Sequence, residues 1–235
     1  MKEIRAITLD LDDTLWPIDP VIEAAEARVY DWLCENCPDI GRSHSIESLR
    51  EARLDIARLE SGIAHDVTEL RRRSLRAILV DDGSYPETYV DQAMEVFLEH
   101  RNRVALFPDA RPFLERASRK YPLVSLSNGN ADLQRIGLGD LFTAQVAAGE
   151  VGAAKPDPQI FRAACERLAL QPRQVLHIGD HPEHDILGAA RAGIRTVWIN
   201  RNGAQWDGAA RADHEVTDLE QVLDLLPLPR PGDPE

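Results

Sequence analysis

Residues 4–9, Ile-Arg-Ala-Ile-Thr-Leu, run straight into Asp10-Leu11-Asp12-Asp13-Thr14. A short, mostly apolar run rich in β-branched side chains reads as a buried strand, with Asp10 at its carboxyl end. In open α/β sheets the crevice beyond the carboxyl ends of the strands is where ligands bind. If the extended geometry continued, Asp10 and Asp12 would face the same side, because strand side chains alternate with a period of two. Two carboxylates side by side repel unless a cation or a shared proton intervenes. The stretch therefore asks for a hard metal ion. Taken alone, an Asp-x-Asp after a strand also reads as an acidic turn; the residues downstream decide.

Trp16-Pro17 breaks the strand pattern, and residues 20–102 contain no convincing strand. Four helical stretches fill that region. Residues 20–35 space Val21, Ala25, Val29, Trp32 and Leu33 on one face, and residues 46–59 do the same with Leu49, Ala52, Ile56 and Leu59 behind Ser45 as N-cap. Residues 66–80 carry Val67, Leu70, Leu75, Ile78 and Leu79 and stop at Asp82-Gly83, while 86–100 carry Tyr89, Ala93, Val96 and Phe97. Four amphipathic helices with short connections predict a small bundle inserted after the first strand.

From Phe107-Pro108-Asp109 onward strand and helix patterns alternate. Helices are expected at 110–121, near 131–136, and at 158–168, 185–192 and 217–226; strands at 122–126, 143–147, 175–178 and 196–199, with a frayed tail from 227 to 235. Alternation of this kind predicts an α/β fold: a Rossmann-like, three-layer parallel sheet with helices on both faces, plus a small all-helical cap. The expected division is a core of residues 1–16 and 106–235 with a cap of 17–105.

The bulk properties narrow the partners. A net charge of −13 argues against nucleic acid or an anionic membrane surface, both of which select for basic patches. It leaves room for an anionic small molecule, because one metal ion and one Lys reverse the local field. No apolar run is long enough to span a membrane, residues 1–5 lack a signal-peptide apolar region, and three Cys, an odd number, fit a reducing cytoplasm. Cys34-x-x-Cys37 lies near a helix end with no second pair at zinc spacing, so it reads as two incidental thiols.

Polar residues end three predicted strands: Asp10 with Asp12, Ser127 with Asn128, and Asp180. Lys155, in Gly152-Ala-Ala-Lys155-Pro156, precedes a helix. A parallel sheet puts all strand carboxyl ends on one edge, so these groups can converge. Singly, Ser127-Asn128-Gly129 reads as a turn, Lys155 as a solvated loop residue and Asp185 as a helix cap. Together, Asp10-Leu-Asp12-Asp13-Thr14, Leu126-Ser127-Asn128-Gly129, Lys155-Pro156 and Gly179-Asp180-His-Pro-Glu-His-Asp185 resemble, in order, the four motifs of the haloacid dehalogenase (HAD) superfamily. Asp13 occupies a position often filled by Gly there.

The resemblance implies a phosphoryl-transfer enzyme that divides a difficult hydrolysis into two steps through an acyl phosphate. Asp10 would be the nucleophile and Asp12 the general acid and base. Mg²⁺ is the implied cofactor, held by Asp10, the Asp12 backbone carbonyl and Asp180, with Asp185 as support and Thr14 bracing the Asp10 loop. Ser127, the Asn128 backbone N–H and Lys155 would hold the phosphoryl oxygens. His181 and His184 flank the metal loop, but Mg²⁺ prefers oxygen, so both read as loop residues. Dehalogenases of the superfamily need no acid two residues after the nucleophile, so Asp12 favours a phosphatase. A sugar phosphomutase and a non-catalytic binding protein remain alternatives.

In this superfamily substrate choice is expected in the cap. The stretch Ala64-His65-Asp66-Val67-Thr68, with Arg71 and Arg73, is similar to a bacterial branch acting on flavin mononucleotide and the riboflavin precursor phosphoribitylaminouracil. Ser127-Asn128-Gly129-Asn130-Ala131 and Gly137-Leu138-Gly139-Asp140 point the same way. Arg71-Arg72-Arg73 reads equally as a solvated helix face. The expected partner is a small phosphorylated metabolite, and the expected state a monomer or small homo-oligomer.

Overall fold

The computed structural model describes residues 3–81, 84–208 and 211–226. The chain forms two compact units, one of Met1–Pro17, Ala105–Asn128 and Leu133–Glu235, the other of Ile18–Val104 with Gly129–Asp132. Among the described residues no helix is long and apolar enough to cross a membrane.

In chain order the elements are β1 (Ala6–Leu9), then α1 (Asp19–Asn36), α2 (Pro38–Ser43), α3 (Ile46–Leu59), α4 (Val67–Arg76) and α5 (Glu87–Arg101) in the helical unit. The sheet unit resumes with α6 (Ala110–Ser118), β2 (Leu123–Ser127), α7 (Leu133–Ile136), β3 (Ala144–Ala147), α8 (Ala148–Val151) and α9 (Pro158–Leu168). It ends with β4 (Val175–Gly179), α10 (Gly188–Arg191), β5 (Arg195–Ile199), β6 (His214–Val216) and α11 (Leu219–Leu225).

All six strands are parallel, in the order β3-β2-β1-β4-β5-β6. β1 steps to β2 in one direction, while β3 to β4 and β4 to β5 step in the other. Right-handed crossovers then put α6 on one face and α9 and α10 on the other. Strands β1, β2 and β4 are buried throughout, as a sheet covered on both faces requires. Ile160, Phe161 and Ala164 of α9 pack with Val124, Leu126, Val146 and Val175 of the strands. Because the winding reverses at β1, the crevice between β1 and β4 is the topological switch point.

The helical unit buries Ala25, Val29 and Leu33 of α1 against Leu75 of α4 and Val90, Met94 and Phe97 of α5. α3 starts and stops where the periodicity predicts, with Ser45 accepting from the Ser48 N–H as N-cap. Asp66 caps α4, accepting from the N–H groups of Thr68 and Glu69. α4 passes into a wide π-type turn, Ala77–Asp81; its expected stop, Asp82-Gly83, lies outside the described residues, as does the tail 227–235. Cys37 is buried at the end of α1, and burial pushes its thiol up to about 11.

Candidate active site

Asp10 and Asp180 follow β1 and β4, the strands on either side of the switch point. The extended geometry does not continue past Leu9. The Leu15 N–H donates to Leu11 O at 2.8 Å and Asp13 sits at φ 59°, so the motif is a tight turn. That left-handed conformation is the physical reason a glycine suits the Asp13 position. The turn sends the two carboxylates apart: Asp12 Oδ1 accepts from the buried Trp16 indole N–H at 2.9 Å, whereas Asp10 points to Lys155.

Lys155 Nζ is buried and donates to Asp10 Oδ1 at 2.5 Å and Asp185 Oδ1 at 2.7 Å. Its backbone is clamped by the side chain of Asn128, just past β2: the Lys155 N–H donates to Asn128 Oδ1 at 2.7 Å, and Asn128 Nδ2 donates to Lys155 O at 2.9 Å. This clamp sets the Ser127-Asn128 end of β2 beside the lysine. Thr14 Oγ1 lies 3.4 Å from Asp10 Oδ2 and 3.2 Å from Asp180 Oδ1. The Trp198 indole donates to Asp180 O at 2.6 Å.

Asp185 is buried with both oxygens engaged. Oδ1 takes Lys155 and His177 Nε2 at 3.0 Å, and Oδ2 takes the His181 N–H at 2.9 Å. It does not cap the helix expected at 185–192. The helical segment begins earlier, with Pro182–Leu187 as a π-type turn, and His181 Nδ1 is its cap, accepting from Glu183 and His184 N–H. The His181 and His184 rings stack at 3.9 Å. Asp185 fits because residue 179 is glycine: a Cβ there would lie 2.3 Å from Asp185 Cγ.

The electrostatics follow from burial and from one cation among three carboxylates. Burial, reinforced by Asp185 and Asp180, holds Asp10 well above the usual carboxylate range despite Lys155. Asp180 is pushed up to about 6, by burial first and then by Asp185 and Asp13. Burial opposes ionisation of Asp185 too, but Lys155 and His177 overcome it and hold that carboxyl well below the usual range. Burial alone would lower Lys155; its two aspartates raise it instead. Among the described residues, Asp10, Asp180 and Asp185 present oxygens within 4.8 Å of one another and could hold a metal ion. Asp10 and Asp180 fit best, because their raised carboxyls mark missing positive charge.

His177 is a site residue the sequence reading missed. Its signal is faint: it is the one polar residue in Val175-Leu-His-Ile178, standing opposite Thr8, the one polar residue of β1. Arg71 and Arg73 lie in the helical unit. Arg71 Nη2 donates to Glu26 Oε1 at 3.2 Å, and its guanidinium lies 3.6 Å from the centre of the Phe97 ring. Arg73 pairs with Glu60, and with Glu69 at 2.7 Å. Two of the three stretches behind the looser resemblance meet there, where Asn130 Nδ2 donates to Thr68 Oγ1 at 3.1 Å.

Residues 4–193 match the model of the haloacid dehalogenase-like hydrolases. The chain is 33% identical over 233 residues to a 5-amino-6-(5-phospho-D-ribitylamino)uracil phosphatase of Escherichia coli, spanning 96% of this chain and 98% of that one. It is 34% identical over 252 residues to a phosphoserine phosphatase of Thermus thermophilus, spanning 94% and 98%. A crystal structure of a 2-haloacid dehalogenase from Pseudomonas syringae superposes with a TM-score of 0.89 at 38% identity, covering 94% of this chain and 97% of that one.

Proposed function

The chain belongs to the haloacid dehalogenase-like hydrolases, and on that premise we propose that it is a phosphatase that passes the phosphoryl group of a small metabolite to Asp10 and then to water. An Asp10 oxygen attacks phosphorus, the bond to the leaving oxygen breaks, and Asp12 gives that oxygen its proton. Asp12 then takes a proton from water as the water oxygen attacks phosphorus and the bond to Asp10 breaks. The carrying observation is Lys155, fixed between Asp10 and Asp185 at 2.5 and 2.7 Å. It holds the nucleophile and offers positive charge to the phosphoryl oxygens, together with Ser127 and the Asn128 N–H.

Asp10, the Asp12 carbonyl and Asp180 would hold Mg²⁺, for which oxygen donors are the right chemistry. When bound, Mg²⁺ supplies the positive charge that the raised Asp10 and Asp180 carboxyls lack and helps neutralise the phosphoryl oxygens. Asp185, with both oxygens engaged, supports Lys155, and Thr14 braces Asp10 against Asp180. In the helical unit Arg71 pairs with Glu26, and Arg73 with Glu60 and Glu69.

The substrate we favour is flavin mononucleotide or the ribityl-uracil phosphate of riboflavin synthesis: the E. coli relative's name supports the second, and the residues of the looser resemblance that meet at Asn130 and Thr68 support the branch that acts on either. A second reading, hydrolysis of a 2-haloacid, is favoured by the 38% identical P. syringae structure. In that reaction Asp10 would attack carbon and Asp12 would have no leaving oxygen to protonate. The test is a panel of phosphate esters and 2-haloacids, with Mg²⁺ and with a chelator. Mg²⁺-dependent phosphate release that peaks on the flavin compounds supports the proposal in full. Release from sugar phosphates or nucleotides instead removes only the flavin assignment. Halide release without phosphate release replaces the proposal with the second reading.

A further inference from the structure

His177 is a buried titratable group to which the reaction above gives no part. Its imidazole sits at the centre of β4, in a sheet interior where an apolar residue is the norm. The Phe161 ring meets it edge-on at 5.2 Å. Nε2 lies 3.0 Å from Asp185 Oδ1 and Nδ1 lies 2.9 Å from Thr8 Oγ1. An ionised carboxylate only accepts, so the proton belongs on Nε2. In the neutral ring Nδ1 is then bare, and the Thr8 hydroxyl, opposite it on β1, supplies the hydrogen. The alternative acceptor for that hydroxyl, Leu176 O, is more distant at 3.5 Å.

We propose that His177 is a positioning residue: held as the Nε2–H tautomer by Thr8, it fixes Asp185 Oδ1, and through Asp185 it aims the Lys155 ammonium at Asp10. The chain Thr8–His177–Asp185–Lys155–Asp10 is buried along its whole length. Asp185 has no slack, because its other oxygen is tied to the His181 N–H. The consequence for catalysis rests on the phosphatase reading; the tautomer does not.

Two measurements on the full chain test this separately. Ring-nitrogen NMR of the metal-free protein at neutral pH should show His177 protonated at Nε2 and bare at Nδ1; a proton on Nδ1 overturns the proposal. In the phosphatase assay, His177→Leu should lower kcat about 10- to 100-fold, the usual effect of removing a partner that orients a working group, with KM nearly unchanged. His177→Gln, whose amide N–H2 reaches the same oxygen, should recover most of that loss. Equal activity of a folded Leu variant and wild type, or a folded Gln variant as impaired as Leu, overturns it. If the Leu variant does not fold, Thr8→Val removes only the hydroxyl. It should lower kcat several-fold and admit the Nδ1–H tautomer, and wild-type behaviour in both readouts overturns the proposal. A wild-type chain that releases no phosphate sinks the phosphatase reading, and the nitrogen measurement still judges the tautomer.

Discussion

In the sheet unit one lysine stands among three aspartates; in the helical unit one glutamate stands among three arginines. Lys155 serves Asp10 and Asp185 directly, with Asp180 close by. Glu26, 5% exposed, takes Arg50, Arg53 at 2.9 Å and Arg71 at 3.2 Å. The surplus charge meets different surroundings. Asp10 is buried and Asp180 half-buried, and both are pushed up, so that cluster is short of positive charge. Against the pull of burial, Arg50 and Arg53 draw Glu26 down. Burial, then repulsion from Arg53, brings Arg71 down to about 10. Yet the Arg50 and Arg53 side chains are 40% and 22% exposed, so water absorbs much of the excess. Surplus charge that water reaches is compatible with a purely structural network; surplus charge sealed from water calls for a ligand.

The contrast can be broken from either side. The largest effect is expected for Asp10→Asn, which should abolish phosphate release and leave the circular dichroism spectrum and melting temperature close to wild type. Full activity would remove Asp10 as nucleophile. Glu26→Gln should act on stability alone. It strands three guanidinium groups and should reduce the unfolding free energy by roughly 2–3 kcal/mol in urea titrations, less than for a fully buried pair because two partners are part-solvated. An unchanged stability would mean that the helical cluster is not structural.

Acidity sharpens the comparison next. Asp180 has a folded value of about 6, above its unfolded 3.8. Between those values the folded state binds the extra proton, so this group costs stability as pH rises through the window and costs most above it. Mg²⁺ should therefore raise the melting temperature of the protein clearly at pH 7.5 and much less at pH 5, where Asp180 is protonated. Equal Mg²⁺ shifts at both pH values would argue against Asp180 as a ligand. The smallest effect is expected for Asp13→Gly. Glycine accepts φ 59° freely, so stability should rise by at most about 1 kcal/mol. A loss of stability in chemical denaturation would show that the Asp13 side chain contributes more than its backbone conformation costs.

Much of this architecture is legible from periodicity. α9 spans Pro158–Leu168, the bounds expected for it, and β1, β2, β4 and β5 lie within a residue or two of their apolar runs. β6 escaped because it is three residues long, His-Glu-Val, on a sheet edge where neither length nor burial leaves a pattern. α2 escaped because a six-residue helix opened by Pro38 looks like a turn. The early start at Pro182 was hidden by a histidine cap, a residue type that sequence rules do not expect there. Short motifs singled out Asp10, Lys155, Asp180 and Asp185, which the fold draws together. The groups that hold them, namely His177, Trp198 and the Asn128 side chain, act through tertiary contacts, which leave at most a faint trace in the sequence.

The most direct test of the central claim is mass spectrometry of the Asp10 peptide from protein acid-quenched during turnover in heavy-oxygen water. Attack on phosphorus by Asp10, and then by water, predicts a phosphorylated Asp10 at the quench. It also predicts heavy oxygen in the released phosphate and none in the Asp10 carboxylate. An Asp10 peptide that is never phosphorylated, or whose carboxylate gains heavy oxygen as an ester to carbon would on hydrolysis, would contradict the assignment.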